Sequence, residues 1–230
     1  YAWGANDVGQ LGIGTAGSGS FVPVKLATGG VRVFSVATSG NAIFVLNEKG
    51  EVYGWGANTG GWLGSQVAAA SLAAPVRIGG PLLSKRVRSV VAGGTAVYAL
   101  TDEGTLFGWG ANDKGQIPGA QNVSVADPVA VLGASGSKVL AVAAGGAHAL
   151  ALVSDGSVMA WGDGARGQLG NGATTGSAVP VAVDLSALNG ASVSMVGAGG
   201  ARSVMATLDG KLWVWGGSTT DVLRPVLMPI

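Results

Sequence analysis

Residues 53–64 read YGWGANTGGWLG. Tyr53 and Trp55 stand two apart, with Gly54 between them and Gly56 after. Successive side chains of a strand leave opposite faces, so this order puts two bulky aromatics on one face and two glycines on the other. A sheet with a raised face and a hollow face can nest against a copy of itself. The chain supplies the copies. The same stretch returns as YAWGANDVGQLG (1–12), FGWGANDKGQIPG (107–119) and MAWGDGARGQLG (159–170), with a shortened version, WVWGG, at 213–217.

The Trp-Gly tryptophans Trp3, Trp55, Trp109, Trp161 and Trp215 are 52, 54, 52 and 54 residues apart. Gly50, Gly104, Gly156 and Gly210 keep the same beat, as does a Pro-Val pair that begins at Pro23, Pro75, Pro128, Pro180 and Pro225. Three markers in phase define a repeat protein. One period holds VRSVVAGG (87–94), AVYAL, a tight Asp-Glu-Gly turn (102–104), TLFGWG (105–110), a long loop and DPVAV (127–131). These four strand-length pieces are named strands A to D. Four short antiparallel strands at a period slightly above fifty predict an all-β fold, a β-propeller of four-stranded blades. The expected layout is a single domain over 1–230, with a half blade at 1–30 and blades at 31–80, 86–132, 138–185 and 192–230.

Composition narrows the function. Thirteen basic and twelve acidic residues give a net charge of +1, which leaves no electrostatic footprint for nucleic acid or an anionic membrane. The longest apolar run, VLAVAAGGAHALALV (139–153), is too short to span a bilayer, so no membrane insertion is expected. Cysteine is absent, which excludes disulfides and thiolate metal sites. The 42 glycines follow no three-residue period, so a collagen reading is excluded. A mean hydropathy of +0.45 suits a subunit packed among others.

The unit formed by AGGTAVYALTDEGTLFGWGANDKGQI (92–117) and AGGAHALALVSDGSVMAWGDGARGQL (144–169) resembles the repeat of the regulator of chromosome condensation family. The resemblance covers essentially the whole chain. It implies a seven-bladed propeller. This chain starts and finishes on a C–D pair and cannot close on itself, so the expectation is a partial ring of about four and a half blades with the remainder upstream. Kelch repeats share the period and a double glycine, but not Trp-Gly followed by Gly-Gln-Leu-Gly.

Strand direction assigns the D–A connections and B–C turns to one face of the disc, and the A–B and C–D loops to the other. The first face mixes Arg32, Arg86 and Lys138 with Glu48, Asp102, Glu103, Asp155 and Asp209, the pattern of a solvated surface with weak ion pairs. The second face reads as nearly uncharged. Its long C–D loops carry the candidate partner-binding residues Trp62, Leu63, Asp113, Lys114 and Arg166. Trp62 stands where other repeats have Gln10, Gln116 and Gln168. Two readings follow: it packs over its own blade, or it is an exposed anchor of the kind tryptophan supplies at binding hot spots.

Chemical sites are scarce. GIGTAG (12–17) matches a dinucleotide fingerprint by letters only, since no helix follows to receive a pyrophosphate. His148 is the only histidine, too few for a metal site or a triad, and a structural hydrogen-bonding role is expected. NVS (122–124) is a glycosylation acceptor only in a secreted chain. The expectation is a non-catalytic propeller that binds other proteins as a scaffold or subunit of a larger assembly, with no cofactor and no metal. The resemblance implies two alternatives. One is nucleotide exchange on a small GTPase, as the founding member performs for Ran, and it would be expected to need an inserted wedge and a charged face. The other is a secreted enzyme inhibitor. The family's light sensor has Trp and Arg just after the double glycines, where this chain has Thr95-Ala96, Ala147-His148 and Ala201-Arg202.

Overall fold

The computed structural model describes residues 1–26, 32–134, 136–217 and 221–229, so the boundary expected at 30/31 lies outside the described residues. The described residues form a two-stranded sheet followed by four four-stranded antiparallel sheets, a partial ring of propeller blades. The half blade holds β1 (Ala2–Asn6) and β2 (Gly17–Val24). Blade I holds β3 (Val33–Ser39), β4 (Ala42–Asn47), β5 (Val52–Ala57) and β6 (Ser71–Arg77). Blade II holds β7 (Val87–Ala92), β8 (Ala96–Thr101), β9 (Leu106–Ala111) and β10 (Ser124–Leu132). Blade III holds β11 (Val139–Ala144), β12 (His148–Val153), β13 (Val158–Gly162) and β14 (Ser177–Ala182). Blade IV holds β15 (Val193–Gly199), β16 (Arg202–Thr207), β17 (Leu212–Gly216) and β18 (Val226–Leu227).

Within each blade the strands run in chain order, A to D. The B–C hairpins turn on Gly50, Gly104, Gly156 and Gly210, whose φ values of 79° to 88° explain the glycine beat in the sequence. Strands A of neighbouring blades touch one another, which places them on the axis. There the double glycines let backbones bond directly from blade to blade: Gly94 N donates to Gly145 O at 2.9 Å and Gly146 N to Gly200 O at 2.7 Å.

The hydrophobic cores lie between blades. Phe44, Leu63 and Ile78 of blade I pack with Val97 and Trp109 of blade II. Tyr98 and Ile117 of blade II pack with Val139 and Trp161 of blade III. Leu150 and Leu169 of blade III pack with Met205 and Trp215 of blade IV. The nesting has one more layer than the glycine–aromatic alternation suggests. A Cβ on Gly54 would lie 3.1 Å from Phe44 and 3.0 Å from Leu63, so the hollow is filled by its own blade. The incoming Trp109 then meets Phe44 edge-on, centroids 6.1 Å apart, a favoured aromatic geometry. Tyr98 and Trp161 repeat the arrangement at 5.9 Å.

Candidate functional site

The C–D loops are built around their own side chains. In blade II, Asn112 Oδ1 accepts from Ile117 N at 2.8 Å, Gln116 Oε1 accepts from Lys114 N at 2.8 Å, and Gln116 Nε2 donates to Asp113 at 3.0 Å. The first loop matches it: Asn6 takes Leu11 N at 3.1 Å, and Gln10 takes Val8 N at 3.0 Å. In blade III Gly164 replaces the asparagine, and Asp163 receives the Gln168 amide at 3.0 Å instead. Asn and Gln in this motif are consumed by holding the loop.

Each loop so held locks onto the following blade. Trp55, Trp109, Trp161 and Trp215 donate their indole N–H to the main-chain carbonyls of Gln10, Trp62, Gln116 and Gln168, at 2.8–3.0 Å. The preceding glycine lands on strand D of that blade, two residues before its proline. A Cβ on Gly61 would lie 3.0 Å from Ala126 Cα, and one on Gly115 2.6 Å from Ala178 Cα. Both glycines have positive φ, 77° and 78°. No other residue fits there without strain.

Two of the sequence candidates belong to this lock. Trp62 is 8% exposed and Leu63 is fully buried. The Trp62 indole lies against Gly110 and donates to Thr95 O of blade II at 2.9 Å. Trp62 is therefore neither a solvent-exposed anchor nor a lid on its own blade: its indole fills the seam between two blades. Leu63 shares its column with Leu11, Ile117 and Leu169, all 2% exposed or less; that column is the signal that marks it as core. Asp113, Lys114 and Arg166 are exposed. Lys114 and Arg166 occupy the same position of successive loops, and Arg166 reaches Asp221 of blade IV at 3.7 Å. Arg224, just before β18, pairs with Asp184 of the preceding blade's D–A connection at 2.7 Å. The opposite face carries the pairs Arg32–Glu48 at 3.7 Å, Lys85–Glu103 at 2.8 Å and Arg86–Asp102 at 3.0 Å. Such exposed pairs contribute little stability.

His148 joins blades III and IV. Ser203 Oγ donates its single proton to Gln168 O at 2.8 Å, so the 2.8 Å contact to His148 must run from Nε2–H to the serine oxygen. Among the described residues Nδ1 has no partner; it is a buried lone pair against Gly145. Burial holds the imidazole neutral, with its pKa pushed down to about 4. Among the described residues no group of three or more His, Cys, Asp or Glu could hold a metal ion, and no helix is long and apolar enough to cross a membrane.

The interlocked blades have known counterparts. The family model for the "Regulator of chromosome condensation (RCC1) repeat" matches residues 1–46, 49–100, 103–152 and 155–206, and a second model of that description matches 87–116 and 139–168. The chain belongs to this family. The RCC1 domain-containing protein RUG3, mitochondrial, of Arabidopsis thaliana is 32% identical over 223 residues, covering 94% of this chain and 49% of that protein. The crystal structure of human WBSCR16 superposes with a TM-score of 0.78 at 27% identity, over 87% of this chain and 54% of that one. Prp20p from Saccharomyces cerevisiae, whose structure was described with its binding to Gsp1p and histones, superposes with a TM-score of 0.81 at 23% identity, over 99% of this chain and 58% of that one. This RCC1-repeat chain spans about half the length of RUG3, and its partial ring of blades shares the fold of those structural neighbours.

Proposed function

We propose that this chain is a non-catalytic protein-interaction propeller, working as a scaffold or subunit of a larger assembly. One observation carries the reading. The single histidine, His148, is buried and spent on a bond between blades, as are Tyr98, Gln116, Gln168 and the indoles of Trp55, Trp109, Trp161 and Trp215 on bonds between blades or within loops. The loop tips are left to differ from blade to blade, as half-buried Val8 and Gly60 and exposed Lys114 and Arg166 do at one position. A rigid frame with variable loops is the usual basis of recognition.

The test is the native mass of the protein purified from its source, with co-migrating chains identified by mass spectrometry. A stable high-mass assembly supports the reading. A lone monomer that accelerates release of labelled GDP from a small GTPase at catalytic amounts overturns it in favour of nucleotide exchange.

A further inference from the structure

Every strand A carries the same irregularity at the same place. β3, β7, β11 and β15 each hold one extra residue against strand B, between Val33 and Ser35, Val87 and Ser89, Val139 and Ala141, and Val193 and Met195. A bulge takes its extra residue out of the ladder and re-aims the side chain, and bulges gather where a sheet edge meets a functional site. Because strands A line the axis, the four bulged residues, Phe34, Arg88, Leu140 and Ser194, form an arc at the axial mouth on the B–C side. All four are exposed, Phe34 at 73% and Leu140 at 48%. The residue before each bulge is valine in all four blades, while the bulged residue is of a different type each time. Backbone geometry that is kept while side-chain chemistry is varied suits reading a ligand, because packing would hold the side chain constant.

Arg88 sits between the two apolar members of the arc. Its Nη2 donates to Val139 O at 3.0 Å and Leu140 O at 2.9 Å, which holds the guanidinium over the next blade. The neighbouring cations Arg32, Lys85 and Arg86 are matched by Glu48, Glu103 and Asp102. Among the described residues Arg88 has no acidic partner within ion-pairing distance, and Nε and Nη1 donate to no protein acceptor. A fixed guanidinium with spare donors is complementary to a carboxylate. A groove leads outward from it between blades I and II, with Phe34 and Leu46 on the blade I side and Arg86 and Asp102 on the blade II side.

We propose that this arc reads an extended segment of a partner protein in which an aspartate or glutamate side chain stands between apolar residues. The carboxylate meets Arg88, and its apolar neighbours lie against Phe34 and Leu140. The proposal rests on the protein-interaction reading above and names the place and chemistry of one contact.

The test uses the whole chain as bait for a phage library of heptapeptides randomised around a fixed central glutamate. Selected peptides are then made with fluorescein and titrated by anisotropy. The expected winners carry apolar residues beside the glutamate and bind at least tenfold more tightly than their glutamine versions. Binding should fall at least tenfold with Arg88→Gln and with Leu140→Asp, each checked for native circular dichroism, and stay unchanged with Gln121→Ala, an exposed residue on the other face. No enrichment, equal binding by Arg88→Gln and Leu140→Asp, or binding only through a free C-terminal carboxylate overturns the proposal. So does binding of a labelled oligouridylate in place of the peptides. A native assembly that survives Arg88→Gln, with no acidic peptide bound, removes this contact and leaves the interaction reading standing.

Discussion

The seam between blades I and II and the seam between blades II and III are built to one plan with different parts. In both, a tryptophan of the later blade donates to a carbonyl in the earlier blade's C–D loop. At the second seam that carbonyl belongs to Gln116, whose side chain turns back to brace its own loop through Lys114 N and Asp113. At the first it belongs to Trp62, whose side chain reaches forward to Thr95 O of blade II. The main-chain contact is what the repeat holds constant. The side chain at that position is free to stabilise either the loop or the seam.

Truncating the two residues should separate those roles. Trp62→Ala is expected to cost about 3–5 kcal/mol, because it opens a large cavity between blades. Gln116→Ala should cost about 1–2 kcal/mol, the loss of loop hydrogen bonds. Urea denaturation measures both, and equal losses would break the comparison.

The seam between blades III and IV adds a pH term. His148 is held neutral in the folded chain, with a pKa of about 4 against 6.5 when unfolded. The unfolded state therefore binds the extra proton first. Stability is complete above about pH 6.5 and declines as pH falls towards 4, by on the order of 3 kcal/mol. Thermal melts across that range should show the slope, and His148→Gln should flatten it.

The landing glycines test the common part of the plan. Gly61→Ala and Gly115→Ala should each cost about 2–3 kcal/mol, from positive φ together with collision against the next strand D. Similar losses at both seams would sharpen the view that the backbone lock is shared; a loss at only one would not fit it. Loop tips should matter least. Lys114→Ala and Arg166→Ala are expected to shift stability by about 0.5 kcal/mol or less, since both side chains are exposed. Their effect should fall on complex formation, read in a pull-down.

Repeat phase made the blades, the hairpin turns and the buried indoles legible, because each is a column of like residues that one period brings into register. The same logic applied to Leu63 marks core, since Leu11, Ile117 and Leu169 stand in its column. Trp62 was not legible by that route. It breaks its column, and a lone exception does not say which way its side chain turns. Only the backbone path, with Gly110 opposite, settles that it fills a seam. The bulged residues were hidden for a different reason. A bulge changes the count of residues facing one another across strands, which letters along one strand do not display, although a fixed valine before a changing neighbour is a trace of it.

The indole-to-carbonyl locks also bear on how the molecule would yield to force. Each lock joins one blade to the next, so the chain is tied together by nearest-neighbour contacts, as repeat arrays are. Pulled by its ends, such an array should give way blade by blade, beginning where a tie is weakest. With 52 to 54 residues per period, each event should release roughly 18 nm of contour length at about 3.5 Å per extended residue. The sawtooth of a single-molecule trace would then read out the seams one at a time, with the Trp62 seam among the last to part.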